Sequence, residues 1–200
     1  CEGCGACVAA CPTAALDQAC FSNQQMVSQI EMFLRDGRMA FPKVLVFSCN
    51  WCSYAAADTA GLKRMAMDPH FCALRTMCSA RVDPEWVLKA LSKGADGVLV
   101  LAGHPGRCHY EIGNLRTRKR MALLHNYLDQ MGFDPDRFRI AYVDSEEAEA
   151  YVRTVNEYVD KVRALGPNPV DPRTAVSPKR LEMPWLDIRP PKRWDEGLEL

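Results

Sequence analysis

Lys43-Val44-Leu45-Val46-Phe47-Ser48-Cys49-Asn50-Trp51-Cys52-Ser53-Tyr54-Ala55-Ala56-Ala57 decides the fold. Lys43–Ser48 is a short apolar run of the kind that forms a strand buried on both faces. From Ser53 the run of small, helix-favouring residues reads as the start of a helix. Two thiols, Cys49 and Cys52, therefore stand where a strand hands over to a helix. In open α/β sheets that edge is where ligands bind.

Outward from this stretch, strand and helix alternate over residues 43–166. Strands are expected at Lys43–Ser48, Ala73–Met77, Gly97–Leu101 and Arg139–Val143. The helices between them carry their own punctuation. Asp83-Pro84-Glu85 supplies an N-cap, a proline at the first helical position and an acid in the first turn; that helix carries Trp86, Val87, Leu88 and Leu91 and closes at Gly94. A long helix is expected from Glu111 to Met131, ending at Gly132. The last is expected to start from Ser145 as its cap, with Glu146 and Glu147 at its positive end, and to stop at Gly166-Pro167. Its core face is read as Ala148, Tyr151, Val152, Val155, Val159 and Val162. The expected fold class is α/β: a parallel four-stranded sheet with flanking helices, preceded by a partial ferredoxin-like segment and followed by an extended tail.

The sheet gives the cysteines a geometry. Cys49 and Cys52 follow the first strand, Cys78 follows the second, and Cys108 lies in the loop after the third. In a parallel sheet these loops emerge on one edge, so four thiols distant in sequence converge. Four thiolates are what a [2Fe–2S], a [4Fe–4S] or a structural zinc requires. Cys72 precedes its strand and is assigned to the opposite edge, as a structural residue. His104 and His109 flank Cys108 and are placed as hydrogen-bond donors behind the ligands or as replacement ligands. Arg116, Arg118, Lys119 and Arg120 read as a solvated helix face.

Before the sheet, Cys1-x-x-Cys4-x-x-Cys7-x-x-x-Cys11-Pro12 has the spacing of bacterial ferredoxins that bind [4Fe–4S] clusters. Gly3 and Gly5 let the backbone wrap a cubane and turn amides toward its sulfides. In two-cluster ferredoxins the fourth cysteine of such a run ligates the other cluster. On that rule the opening residues look like the back half of a domain; alternatively Cys1, Cys4, Cys7 and either Cys11 or Cys20 hold one cluster. Cys20 itself is read as a free buried thiol. A helix over residues 22–36 is expected, capped by Ser22 with Gln25, with Met26, Ile30, Phe33 and Leu34 on one face and Gly37 at its end. The boundary is placed at residues 38–41. This divides the chain into a ferredoxin segment with linking helix (1–37), an α/β iron–sulfur domain (43–166) and a tail (167–200). The tail holds seven of the 13 prolines; Pro190-Pro191 and the absence of periodicity read as extended chain, with Trp185 and Trp194 available as anchors.

Composition limits the function. The chain has 200 residues, 25 basic and 25 acidic side chains, so net charge makes no case for nucleic acid or an anionic membrane surface. No apolar run reaches the roughly 18–20 residues a membrane span needs. Ten clustered cysteines in a patterned chain point to a reducing, cytoplasmic setting and metal ligation rather than disulfides. There is no Gly-x-Gly-x-x-Gly, phosphate loop, paired-carboxylate or Ser/His/Asp arrangement. No independent catalytic site is seen.

Several motifs together carry a resemblance. They are Phe47-Ser48-Cys49-Asn50-Trp51-Cys52-Ser53-Tyr54, Met77-Cys78-Ser79-Ala80-Arg81-Val82-Asp83-Pro84, Gly94-Ala95-Asp96-Gly97-Val98-Leu99-Val100-Leu101, His104-Pro105-Gly106-Arg107-Cys108-His109-Tyr110, Gly113-Asn114 and Arg120. Over about three fifths of the chain it resembles the delta (iron–sulfur) subunit of methyl-viologen-reducing hydrogenase. Residues 1–36 are similar to the carboxy-terminal ferredoxin segment of the heterodisulfide reductase A-type polypeptide. The resemblance implies a [2Fe–2S] centre in the α/β domain that passes electrons between a hydrogenase or formate dehydrogenase and the flavin of a heterodisulfide-reductase-like partner in an anaerobic oxidoreductase complex. The family usually carries a cysteine before the His-Pro-Gly; here Gly103 stands there. Either Cys49, Cys52, Cys78 and Cys108 suffice, or this cluster is altered or lost. Two other readings of the thiols remain: a thiol–disulfide oxidoreductase using Cys49 and Cys52, and a structural zinc in an interaction module.

Overall fold

The computed structural model describes residues 1–35 and 39–170. The expected helix stop at Gly37, part of the boundary at 38–41, and the tail from 171 with Trp185, Pro190-Pro191 and Trp194 lie outside the described residues.

The α/β domain opens on strand β1 (Val44–Cys49), followed by α2 (Ser53–Leu62), β2 (Phe71–Thr76), α3 (Pro84–Ser92), β3 (Gly97–Ala102), α4 (Gly113–Gln130), β4 (Phe138–Tyr142) and α5 (Ala148–Leu165). One helix, α1 (Asn23–Leu34), precedes it. The sheet is parallel with order β2-β1-β3-β4. Strand order thus reverses between β1 and β3, the topological position at which doubly wound sheets open a crevice beyond the strand ends.

Alternation along the buried strands divides the core in two. Leu45, Phe47, Val98 and Val100 face α1, α3 and α4, where they meet Ile30, Trp86, Leu91 and Leu124. Val44, Val46, Leu99 and Leu101 face the other way, against Ala56 of α2 and Tyr151, Val155 and Val159 of α5. Both central strands are buried along their whole length.

The capping chemistry holds at α1 and α3. Ser22 and Gln25 form the expected capping box, with Ser22 Oγ accepting from Gln25 N at 3.1 Å and Gln25 Oε1 accepting from Ser22 N at 3.0 Å. Asp83 caps α3 through Glu85 N. Two helix starts differ. The helix expected from Glu111 begins at Gly113, because Glu111 takes a positive φ of 58° and bridges back to Cys108. Ser145 does not cap α5: that helix starts at Ala148 with Glu147 at the cap position, its carboxylate accepting from Asp144 N.

Three further expectations are corrected. Cys72 lies inside β2, one residue past its start, opposite Leu45. Cys20 is exposed, at a turn with φ 65° immediately before α1, and is not a buried thiol. Arg120 is not a solvated residue: its Nη1 donates to Ala80 O at 2.9 Å and Val82 O at 3.2 Å, pinning the turn after β2. Beyond α5, Asn168 donates through Nδ2 to Leu91 O and Ala95 O, tying residue 168 under the sheet. Among the described residues no helix is long and apolar enough to cross a membrane.

Candidate metal centre

Three of the four sheet-edge loops deliver thiols to one place. Cys49 is the last residue of β1 and Cys52 the N-cap of α2. Cys78 is the N-cap of a one-turn 3-10 helix, Ser79–Arg81, after β2. Cys108 follows β3 and precedes α4. Cys49, Cys52 and Cys78 are buried and Cys108 half-buried. The thiols interact in sequence: Cys52 with Cys49, Cys49 with Cys78, and Cys78 with Cys108. The convergence expected from the strand ends is thus present for all four.

Glycines make room for the sulfurs. A Cβ at Gly103 would lie 2.5 Å from Cys52 Sγ, and a Cβ at Gly113 would lie 2.6 Å from Cys78 Sγ and 3.2 Å from Cys108 Sγ. Backbone amides point inward. Ala80 N donates to Cys78 Sγ at 3.4 Å. Tyr110, Gly113 and Asn114 amides donate to Cys108, and Trp51 and Ser79 amides to Cys49. Helix α4 has no side-chain N-cap; the Cys108 sulfur takes that role in its first turn. The positive helix end and unpaired amides favour a thiolate there.

These contacts divide the protons. The Cys52 and Cys78 thiols donate toward Cys49 and hold its pKa at about 3 against the opposing effect of burial. Cys108 is lowered to about 6, first by Cys78 and then by amides. Cys78 is raised by its bonds to Cys108 and Cys49, and Cys52 by its bond to Cys49, with burial adding to both. The contacts thus lower Cys49 and Cys108 and raise Cys52 and Cys78. Soft donors, inward amides and side-chain-free glycines fit an iron–sulfur group.

The family model for the delta subunit of methyl-viologen-reducing hydrogenase matches residues 44–166. The chain belongs to this family. It is similar to the vhc iron–sulfur subunit of the F420-non-reducing hydrogenase of Methanococcus voltae (41% identity over 126 residues, 63% of this chain and 88% of that protein). It is also similar to the iron–sulfur subunit of the corresponding hydrogenase of Archaeoglobus profundus (40% over 126 residues, 63% and 92%). A third relative is the A-type polypeptide of the ferredoxin/F420H2-dependent CoB-CoM heterodisulfide reductase of Methanosarcina acetivorans, 42% identical over 147 residues; the match spans 74% of this chain but only 18% of that polypeptide.

The surroundings of the delta-subunit thiols include groups that sequence reasoning missed. Trp51 stacks on His109 with ring centroids 4.2 Å apart and donates Nε1–H to Tyr110 Oη at 3.0 Å. These rings belong to the Cys49–Cys52 and Cys108 loops, so His109 reaches an aromatic partner rather than a sulfur. His104 also turns away from the thiols: its Nε2 meets Glu147 Oε2 at 2.9 Å and its amide donates to Asp144 Oδ1. Asp144 is buried beside Cys52, its Oδ1 3.2 Å from where a Gly103 Cβ would stand. His104, Asp144 and Glu147 have ligand atoms within 4.8 Å of one another. The Arg107 guanidinium already supplies the cation there, 3.0 Å from Asp144 Oδ2. Asp144 was legible only as the residue following the fourth strand at the same edge. Cys72 stays apart, pushed up to about 11 by burial.

The first cysteine run folds against this domain. Cys1 and Cys7 are exposed, Cys4 and Cys11 half-buried. Gly3 and Gly5 have φ of 76° and 78°, the conformation that winds a short loop around a ligand. Cys11 is lowered to about 7 by the Thr13 hydroxyl and the amides of Leu16, Thr13 and Ala15. Cys4 and Ala6 pack with Cys78, Ala80, Cys108 and Tyr110 in one cluster.

Proposed function

We propose that the chain is an iron–sulfur electron-transfer module with two centres. Cys49, Cys52, Cys78 and Cys108 hold a [2Fe–2S] cluster; Cys1, Cys4, Cys7 and Cys11 belong to a [4Fe–4S] site of a ferredoxin-like segment. The units are residues 1–37, 43–166 and a tail from 167, arranged as a delta-subunit domain behind a segment like the end of the heterodisulfide reductase A-type polypeptide. The observation that carries this reading is that Cys4 and Ala6 of the first run pack into one cluster with Cys78, Ala80, Cys108 and Tyr110. Two thiol sites that share one cluster suit a relay.

Such clusters supply one-electron chemistry. The chain's residues hold, insulate and polarise them. The buried Cys49, Cys52 and Cys78 keep water from one side, the Trp51–His109–Tyr110 group covers the loop side, and the amides at α4 and the 3-10 turn stabilise negative charge on sulfur. The partners we assign are a hydrogenase or formate dehydrogenase on one side and a heterodisulfide-reductase-like flavoprotein on the other, in the reducing cytoplasm; none of the ten cysteines is in a disulfide.

The alternatives have weaker support. Thiol–disulfide exchange needs an accessible nucleophile, whereas Cys49 is 2% and Cys52 4% exposed. A structural zinc places four sulfurs about 3.8 Å apart around one ion, from its tetrahedral geometry and bond length. Here Cys52 contacts Cys49, Cys49 contacts Cys78 and Cys78 contacts Cys108; what favours iron–sulfur over zinc is that the similar hydrogenase chains are named iron–sulfur subunits.

The test is anaerobic purification of the protein with assay of iron, acid-labile sulfide and zinc, and EPR after reduction. Brown protein with iron and sulfide is expected, and Cys78→Ser is expected to abolish the signal of the α/β domain. Colourless or zinc-loaded protein overturns the reading; a retained signal in the Cys78 variant removes that residue from the ligand set.

A further inference from the structure

Arg81 is a fully buried arginine at the seam between the two thiol sites. It comes from the 3-10 turn that Cys78 caps, yet its guanidinium serves the first segment. Nη2 donates to Phe21 O at 3.1 Å and to Asn23 Oδ1 at 2.9 Å. Its guanidinium carbon lies 4.3 Å above the Trp86 ring. Asp17 stands 3.8 Å from Nη2 but is about half exposed. These contacts use one nitrogen. Among the described residues, Nε and Nη1 are buried without a hydrogen-bond partner.

The unmet donors lie beside the first cysteine run. The stem of Arg81 fills the space that a side chain at position 5 would need: a Cβ on Gly5 would lie 2.5 Å from Arg81 Cδ. Gly5 stands between Cys4 and Cys7, so the Arg81 stem borders the cysteine run. Gln18 Oε1, also buried and unpartnered, flanks the same glycine. A guanidinium taken out of water with donors unsatisfied is heavily penalised unless anionic acceptors face it. Asp17, Phe21 O and Asn23 Oδ1 satisfy only Nη2.

We propose that Arg81 Nε and Nη1 donate to the sulfur of the iron–sulfur cluster held by the Cys1–Cys11 run, so that a residue of the delta-subunit domain sets the potential of the ferredoxin segment's cluster. This rests on the reading of that run as a [4Fe–4S] site. A cation with N–H donors at cluster sulfur favours the reduced, more negative state and raises the potential. Arg81 is a tuning and positioning residue: it binds no iron. Because it shares its turn with Cys78, it also couples the placement of one site to the other.

The experiment uses the full protein labelled with 15N-arginine, reduced under anaerobic conditions. Pulsed EPR on the [4Fe–4S] signal is expected to show an arginine 15N coupling. Arg81→Lys and Arg81→Gln are expected to lose that coupling. In a potentiometric titration the [4Fe–4S] midpoint is expected to fall in both variants, further in Gln than in Lys. Asn23→Ala, which removes only an Nη2 partner, is expected to leave the midpoint in place. If the wild-type [4Fe–4S] signal is present without arginine coupling, the proposal is overturned, and that outcome does not depend on any variant folding. Unchanged midpoints in folded, iron-loaded Arg81 variants overturn it too. Iron analysis that finds no [4Fe–4S] cluster in the wild-type protein overturns the reading of the run itself, and the proposal with it.

Discussion

Gly103 and Cys52 share one volume: the Cys52 sulfur occupies the place where a side chain on residue 103 would begin, 2.5 Å from its Cβ. In this chain the glycine lets Cys52 close the row with Cys49. Gly103→Ala is expected to displace Cys52, at an overpacking cost of about 1–3 kcal/mol. Iron analysis and EPR are expected to show the α/β-domain centre lost or depleted, with the first segment's signal retained. Full occupancy with an unchanged spectrum would remove Cys52 from the ligand set.

The lowered Cys108 pKa gives the metal-free protein a pH signature. A depressed thiol pKa means the thiolate persists above that pKa and is lost as pH falls through it. Cys108, lowered to about 6 and half-buried, is expected to be the fastest of the sheet-edge thiols to alkylate at pH 7–8. Its rate is expected to drop about tenfold per pH unit below that value. Cys72, pushed up to about 11, is expected to stay unreactive across this range. Peptide mapping after brief iodoacetamide treatment reads both, and iron loading is expected to protect Cys108.

Trp51 covers the loops that carry the thiols, stacked on His109 and bonded to Tyr110. Trp51→Ala is expected to leave anaerobic iron content near wild type and to speed bleaching in air. Loss of the groups that support metal ligands commonly weakens metal retention by roughly 10–100-fold. Equal bleaching rates would show that the rings do not shield the site.

Asp83 caps α3, the helix that packs Trp86 under Arg81 and against the sheet. Asp83→Ala is expected to cost about 1 kcal/mol of stability, the usual loss for an N-cap aspartate. Denaturant unfolding measures it, with no change expected in the spectrum of either centre.

Much of this was legible because it rests on local chemistry. The apolar run at Lys43–Ser48, the Ser22 box and the Asp83-Pro84 start each have a short-range cause. The thiol convergence needed only a parallel sheet. What sequence concealed depends on long-range contact. Arg81 and Arg120 look like surface cations until they are seen reaching Phe21 O and Ala80 O across the fold. Ser145 is as good a cap residue as Ser22, yet the helix starts after Glu147, whose carboxylate reaches back to Asp144 N and His104. Cys20 falls in a tight turn with positive φ, which residue identity did not signal.

The sulfur that caps α4 has a mechanical consequence. That helix is 18 residues long, about 27 Å at the standard rise per residue. Its first-turn amides are anchored on Cys108, and its second turn holds the 79–82 strip through Arg120. On the proposed reading of Cys108 as a cluster ligand, charge on its sulfur falls on the amides that open this helix, so α4 links that position to the 79–82 strip.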